Sequence, residues 1–129
     1  AMRAALRRAL IAEPDLRVTL FAALPEQPFG EESAPDLAHG QQTAALIALR
    51  HWAAPLRLPA DKLRTHVAFG SDTAGLLLDY AATHHADRIV VGARGHSTLR
   101  RFLGSVSSRI VAEAGCSVTV VRSSGERTI

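Results

Sequence analysis

The sequence predicts an α/β fold: a mostly parallel sheet with helices on both of its faces. Two observations carry that prediction. Helical and strand-like patterns alternate along the chain, and the run Arg88–Gly92 (RIVVG) is apolar after its first residue, as expected of a strand covered on both sides. A chain of 129 residues suffices for one domain and not for two, so residues 1–129 are read as a single domain. Apolar residues at 47% and charged residues at 21% are ordinary for a globular protein. No apolar stretch approaches the roughly 20 residues that cross a bilayer, and Ala1-Met2-Arg3 has none of the regions of a signal peptide. One cysteine, Cys116, cannot form an intramolecular disulfide, so a reducing, cytoplasmic location is expected.

The elements follow in order. Met2–Ala12 reads as a helix, with Leu6 and Leu10 on one face and arginines among good helix formers. Pro14-Asp15 interrupts it, and Leu16–Leu24 (LRVTLFAAL) has the composition of a buried strand. The segment Pro25–Asp36, with three prolines, a glycine and four acids, is a surface loop. Leu37–Ala54 returns to a helical pattern, with Leu46, Ile47, Leu49 and Trp52 expected to face the core, and Pro55 stops it. Leu63–Phe69 is a second strand closed by Gly70. Ser71 or Asp72 then caps a helix reaching His84, with Leu76, Leu77, Leu78 and Tyr80 on or near its apolar face. After the strand Arg88–Gly92, Ser105 is expected to cap a short helix over Val106–Ala114, with Gly115 at its end. Ser117–Arg122 is the last strand and 123–129 a flexible tail.

Charge is unevenly spread. Residues 1–87 carry eight basic side chains against ten acidic, a balance of −2, whereas residues 88–129 carry seven against two, a balance of +5. The basic end therefore coincides with the glycine-bearing stretch Ile89–Arg109 (IVVGARGHSTLRRFLGSVSSR) and favours an anionic ligand. Nucleic acid is disfavoured, because Phe102 is the only aromatic residue among those arginines. In open α/β sheets ligands sit beyond the carboxyl ends of the strands, which directs attention to the loop after Val91. Gly92 and Gly95 allow positive φ and close approach of a ligand to the backbone. Gly104-Ser105 opens a helix whose first amides lack intrahelical acceptors, and phosphate oxygens can satisfy them. Ser105 and Ser107 add hydroxyl donors, and Arg94, Arg100 and Arg101 add positive charge. Three or four charge-assisted hydrogen bonds of about 1.5–3 kcal/mol each, less the cost of association, correspond to micromolar affinity.

Other chemistries fit less well. The P-loop and the dinucleotide-binding glycine motif are absent, and Lys62, the only lysine, is remote in sequence. A serine hydrolase would need a nucleophile elbow, and none is present. His84 and His85 are adjacent and neither has a histidine four residues on, so no metal is expected. Cys116 reads as a small apolar residue at the start of a strand.

The stretch Asp87–Arg122 resembles the C-terminal half of universal stress proteins. That family's signature is two glycines separated by two residues, a nine-residue spacer, then Gly followed by Ser or Thr. Gly92, Gly95, Gly104 and Ser105 match it, flanked by Val91, Val106 and Ser107, although the spacer here holds eight residues. The resemblance runs in register from Leu16 to Arg122. It implies a three-layer α/β/α sandwich of the HUP, Rossmann-like kind. It further implies that Val91, Gly92, Arg94, Gly95, Gly104, Ser105, Val106 and Ser107 bind ATP or a related adenine nucleotide in a sensor or signalling domain without a catalytic step. A homodimer formed through strand 117–122 is also implied. In the family an opening strand lies mid-sheet and is followed by a loop whose aspartate contacts adenine. This chain starts within what resembles the next helix, so that strand is expected to be missing and no residue inherits the aspartate's role. The alternative is a protein-interaction or regulatory module that binds no nucleotide, including one belonging to a larger protein.

Overall fold

The computed structural model describes residues 2–26, 34–92 and 104–121, with the side chains of 34–36 excepted. The elements are helix α1 (Met2–Ala12), strand β1 (Val18–Leu24), helix α2 (Ala34–Ala53), strand β2 (Leu63–Phe69), helix α3 (Thr73–Thr83), strand β3 (Arg88–Gly92), helix α4 (Ser105–Glu113) and strand β4 (Ser117–Val121). Two 3-10 turns, Ala54–Leu56 and Ala60–Lys62, join α2 to β2. The bounds of α1, β2 and β3 coincide with the sequence expectation. β1 starts two residues later than expected, because the amide of Leu16 bonds back to the Glu13 carbonyl and keeps the chain turning. The final residues of the expected last strand and tail, 122–129, lie outside the described residues.

Both strand pairs are parallel, as the alternation of helices and strands requires. β1 pairs with β2 from Val18↔Leu63 to Leu24↔Phe69, and β3 pairs with β4 from Arg88↔Ser117 to Gly92↔Val121. Among the described residues these are two separate two-stranded ladders, not one continuous sheet. Each is completed by its own strand–helix–strand segment. The chain divides into two compact units, one comprising Ala9–Thr73, the other Ala1–Arg8 with Ala74–Ile129.

In the first unit, α2 lies against β2, and Ala53 and Val67 are its buried residues. Leu46, Leu49 and Trp52 are half-buried as expected, but Ile47 is 63% exposed. At about 100° per residue, Ile47 falls roughly 160° around the helix from Leu49 and faces away. Pro55 occupies the first turn of the 3-10 segment after α2, where its missing N–H costs nothing. Asp15 and Lys62 approach to 3.7 Å, an exposed ion pair of little energetic weight.

In the second unit, α3 presents Ala74, Leu77, Leu78 and Ala81 on one stripe, the spacing of an amphipathic face. These residues meet Ile89 and Val91 of β3, Val118 of β4, Ile110 of α4, and Ala114 and Cys116. Ile110, with no exposed surface, is the centre of this cluster. Ile89, Val91 and Val118 share one face of the β3–β4 ladder, because side chains alternate and Ile89 lies opposite Val118. On the other face stands Gly92, where a Cβ would lie 3.4 Å from Met2 Cε at the start of α1. At the C-terminal end of α3, the rings of Tyr80 and His84 stack with centroids 3.9 Å apart.

Candidate functional site

The carboxyl end of β3 and the amino end of α4 meet at one point. Ser107 is 3% exposed, and its Oγ donates to the Gly92 carbonyl at 3.3 Å. The helix opens at Gly104, whose backbone is extended (φ −70°, ψ 170°), with no side-chain hydrogen bond as a cap. The first bond of the helical ladder runs from the Ser108 amide to the Gly104 carbonyl at 2.9 Å. The amides of Ser105, Val106 and Ser107 therefore lie ahead of that ladder, where helix geometry supplies no acceptor. They carry the positive end of the helix dipole.

The cap differs from the sequence expectation. Ser105 was expected to cap the helix, but Gly104 takes that place and Ser105 becomes the first helical residue. Ser105 is exposed in the first turn of the helix. At the other end Ala114, not a glycine, closes the helix, and its amide bonds the Ile110 carbonyl. Gly115 does not adopt positive φ, and neither does Gly92. A Cβ at Gly92 would meet Met2 Cε and the Val121 carbonyl at ordinary contact distances, so neither left-handed freedom nor local crowding demands a glycine there.

The other expected site residues divide by burial. The side chain of Val91 packs on the apolar cluster, so only its backbone can reach a ligand. Val106, 36% exposed, stands in the first turn of α4 with its amide toward the helix start. Arg94 and Gly95, together with Arg100 and Arg101, lie outside the described residues. Arg109 faces away along the helix and pairs with Glu113 at 3.1 Å. Among the described residues no three His, Cys, Asp or Glu side chains converge as metal ligands would. No described helix is long and apolar enough to cross a membrane.

The sequence reading assigned Ser107 a hydroxyl for a ligand and missed its bond to Gly92. The signal was present: Ser107, Ile110 and Ala114 follow the i, i+3, i+7 spacing of a buried helix face. The donor set at the helix start fits an anion: uncapped amides, an exposed hydroxyl at Ser105, and no described carboxylate in the first turn.

The family model of universal stress proteins matches residues 1–122. Among solved structures, the universal stress protein UspA from Lactobacillus plantarum is similar with a TM-score of 0.69 and 26% sequence identity, over 93% of this chain and 88% of that one. The hypothetical protein MJ0577, the subject of a structure-based assignment of biochemical function, is similar with a TM-score of 0.75 and 19% identity, over 94% of this chain and 85% of that one. Both likenesses span the α/β fold described above, with its parallel strands and intervening helices. The chain belongs to the universal stress protein family.

Proposed function

We propose that this protein binds ATP or a related adenine nucleotide between the end of β3 and the start of α4, and acts as a sensor or signalling domain without a chemical step of its own. The observation that carries this reading is the convergence of Gly92 with the uncapped first turn of α4, tied together by Ser107. Phosphate oxygens would accept from the amides of Ser105–Ser107 and from the Ser105 hydroxyl. The match of Gly92, Gly95, Gly104 and Ser105 to the family's glycine signature supports the same assignment, and Arg94 and Gly95 are part of the proposed site by that match. No described carboxylate or histidine stands in the first turn of α4 to serve as a general base. Binding without turnover is the activity proposed.

Calorimetric titration with ATP, AMP and cyclic AMP tests the proposal. Micromolar binding of at least one is expected, and Gly104→Asp is expected to abolish it. Asp is a good N-cap and suits the extended backbone at Gly104, so this variant should remain folded while its carboxylate takes the anion's place. No heat with any nucleotide, or undiminished binding by Gly104→Asp, would overturn the reading in favour of an interaction module. The proposal extends to a cytoplasmic homodimer in which β4 pairs with a second copy. The backbone groups along the free edge of β4, which carries Val118 and Val120, would then be paired on an edge that is otherwise a hazard. A monomer over a wide concentration range in sedimentation would count against it.

A further inference from the structure

We infer that Ser107 is a positioning residue, whose side chain holds the start of α4 against the exit of β3 and whose hydroxyl is not a ligand for phosphate. The reasoning begins with its single proton. A serine hydroxyl has one donor and two acceptor sites. A carbonyl oxygen can only accept, so the bond between Ser107 Oγ and Gly92 O consumes that one proton. What remains on Ser107 Oγ is acceptor capacity, which repels an anion. Burial points the same way: Ser107 is 3% exposed while its neighbours Ser105 and Val106 are open to solvent.

At 3.3 Å the bond is longer than the 2.7–2.8 Å typical of hydroxyl donors, and weaker in proportion. Its effect comes from where it acts. Its two ends are fifteen residues apart in sequence, so it joins a strand exit to a helix start that are not neighbours along the chain. The same turn of α4 carries Ile110 into the apolar cluster three residues later. Ser107 and Ile110 therefore fix both the height and the rotation of the helix relative to β3. The first-turn amides are aimed as a consequence.

The effect on nucleotide binding rests on the proposed function; the tether does not, and the experiment separates them. Ser107→Ala removes the hydroxyl and no other atom, and Ser107→Thr restores a donor at the same place. Amide hydrogen exchange of residues 108–111, which lie inside the helical ladder, is measured in each variant without any ligand and corrected for intrinsic rates, and ATP titrations follow. The tether predicts that exchange at these amides speeds up about two- to threefold in Ser107→Ala, the equivalent of a hydrogen bond at the weak end of the usual range, and returns toward the original rate in Ser107→Thr. ATP affinity falls by a similar factor in Ser107→Ala only if the proposed function also holds. Unchanged exchange in Ser107→Ala would overturn the inference. So would a loss of ATP binding with exchange unaltered, since that is the behaviour of a direct ligand. If the original protein binds no nucleotide, the functional proposal fails and the exchange rates still decide the tether.

Discussion

The two ladders finish differently at their carboxyl ends, although each is a parallel pair closed by one helical crossover. At the end of β1, the Leu24 carbonyl accepts the backbone amide of Gly70 at 2.9 Å, the next rung beyond Phe69. At the end of β3, the Gly92 carbonyl accepts a side-chain hydroxyl from the following helix. A backbone rung is indifferent to sequence, because nearly every residue can supply it. A hydroxyl tether exists only while a serine or threonine stands at position 107. The first strand exit is thus a piece of scaffold, and the second is a junction that the sequence can tune.

Substitutions at the two ends can sharpen or break that contrast. The largest effect is expected at Ile110, which anchors α4 with no exposed surface. Ile110→Ala should cost about 2–5 kcal/mol in urea unfolding, more than Val67→Ala in the other unit, where a smaller side chain is truncated. Equal losses would mean that α4 is no better anchored than β2. Gly104→Asp comes next: it should remove nucleotide binding while leaving the helix as stable or about 0.3 kcal/mol more stable. Gly92→Ala should change stability by no more than about 0.5 kcal/mol, because its Cβ would meet Met2 Cε and the Val121 carbonyl at ordinary contact distances. Marked destabilisation there would show that the strand exit tolerates no side chain. The smallest effect is expected for Glu113→Ala. The Arg109–Glu113 pair is exposed on both sides, runs in the less favourable direction, and should contribute no more than about 0.3 kcal/mol, lost further in salt.

The fold was legible because its signals are local. The apolar strand Arg88–Gly92 and the leucines of α3 state their pattern within a dozen residues, although the packed stripe is Ala74, Leu77, Leu78 and Ala81 and the sequence reading named Leu76, Leu77, Leu78 and Tyr80. Signals that depend on a neighbour were harder to read. Ile47 is as apolar as Leu46, and only the position of β2 decides which of them faces inward. Likewise, Ser105 looks like a cap by composition, yet the extended backbone of Gly104 fills that role one residue earlier. At the candidate site, the glycine signature pointed to the helix start, but a motif counts donors without saying where each proton goes. The buried hydroxyl of Ser107 is spent within the protein, and that is a fact of three-dimensional packing.

The two crossovers also bear on the order in which the chain assembles. Roughly 40 residues separate β1 from β2 and roughly 25 separate β3 from β4, and since closure entropy grows only logarithmically the difference is about 0.4 kcal/mol. Loop length alone leaves the two pairings within about a factor of two in speed. The intervening helices differ more: α2 has 20 residues and α4 has nine. Isolated helices become persistent only above about 12–15 residues, so α2 can form ahead of its ladder whereas α4 needs its ladder to exist. Pairing of β1 with β2 is therefore expected to come first, an order that pulse-labelled refolding can read directly.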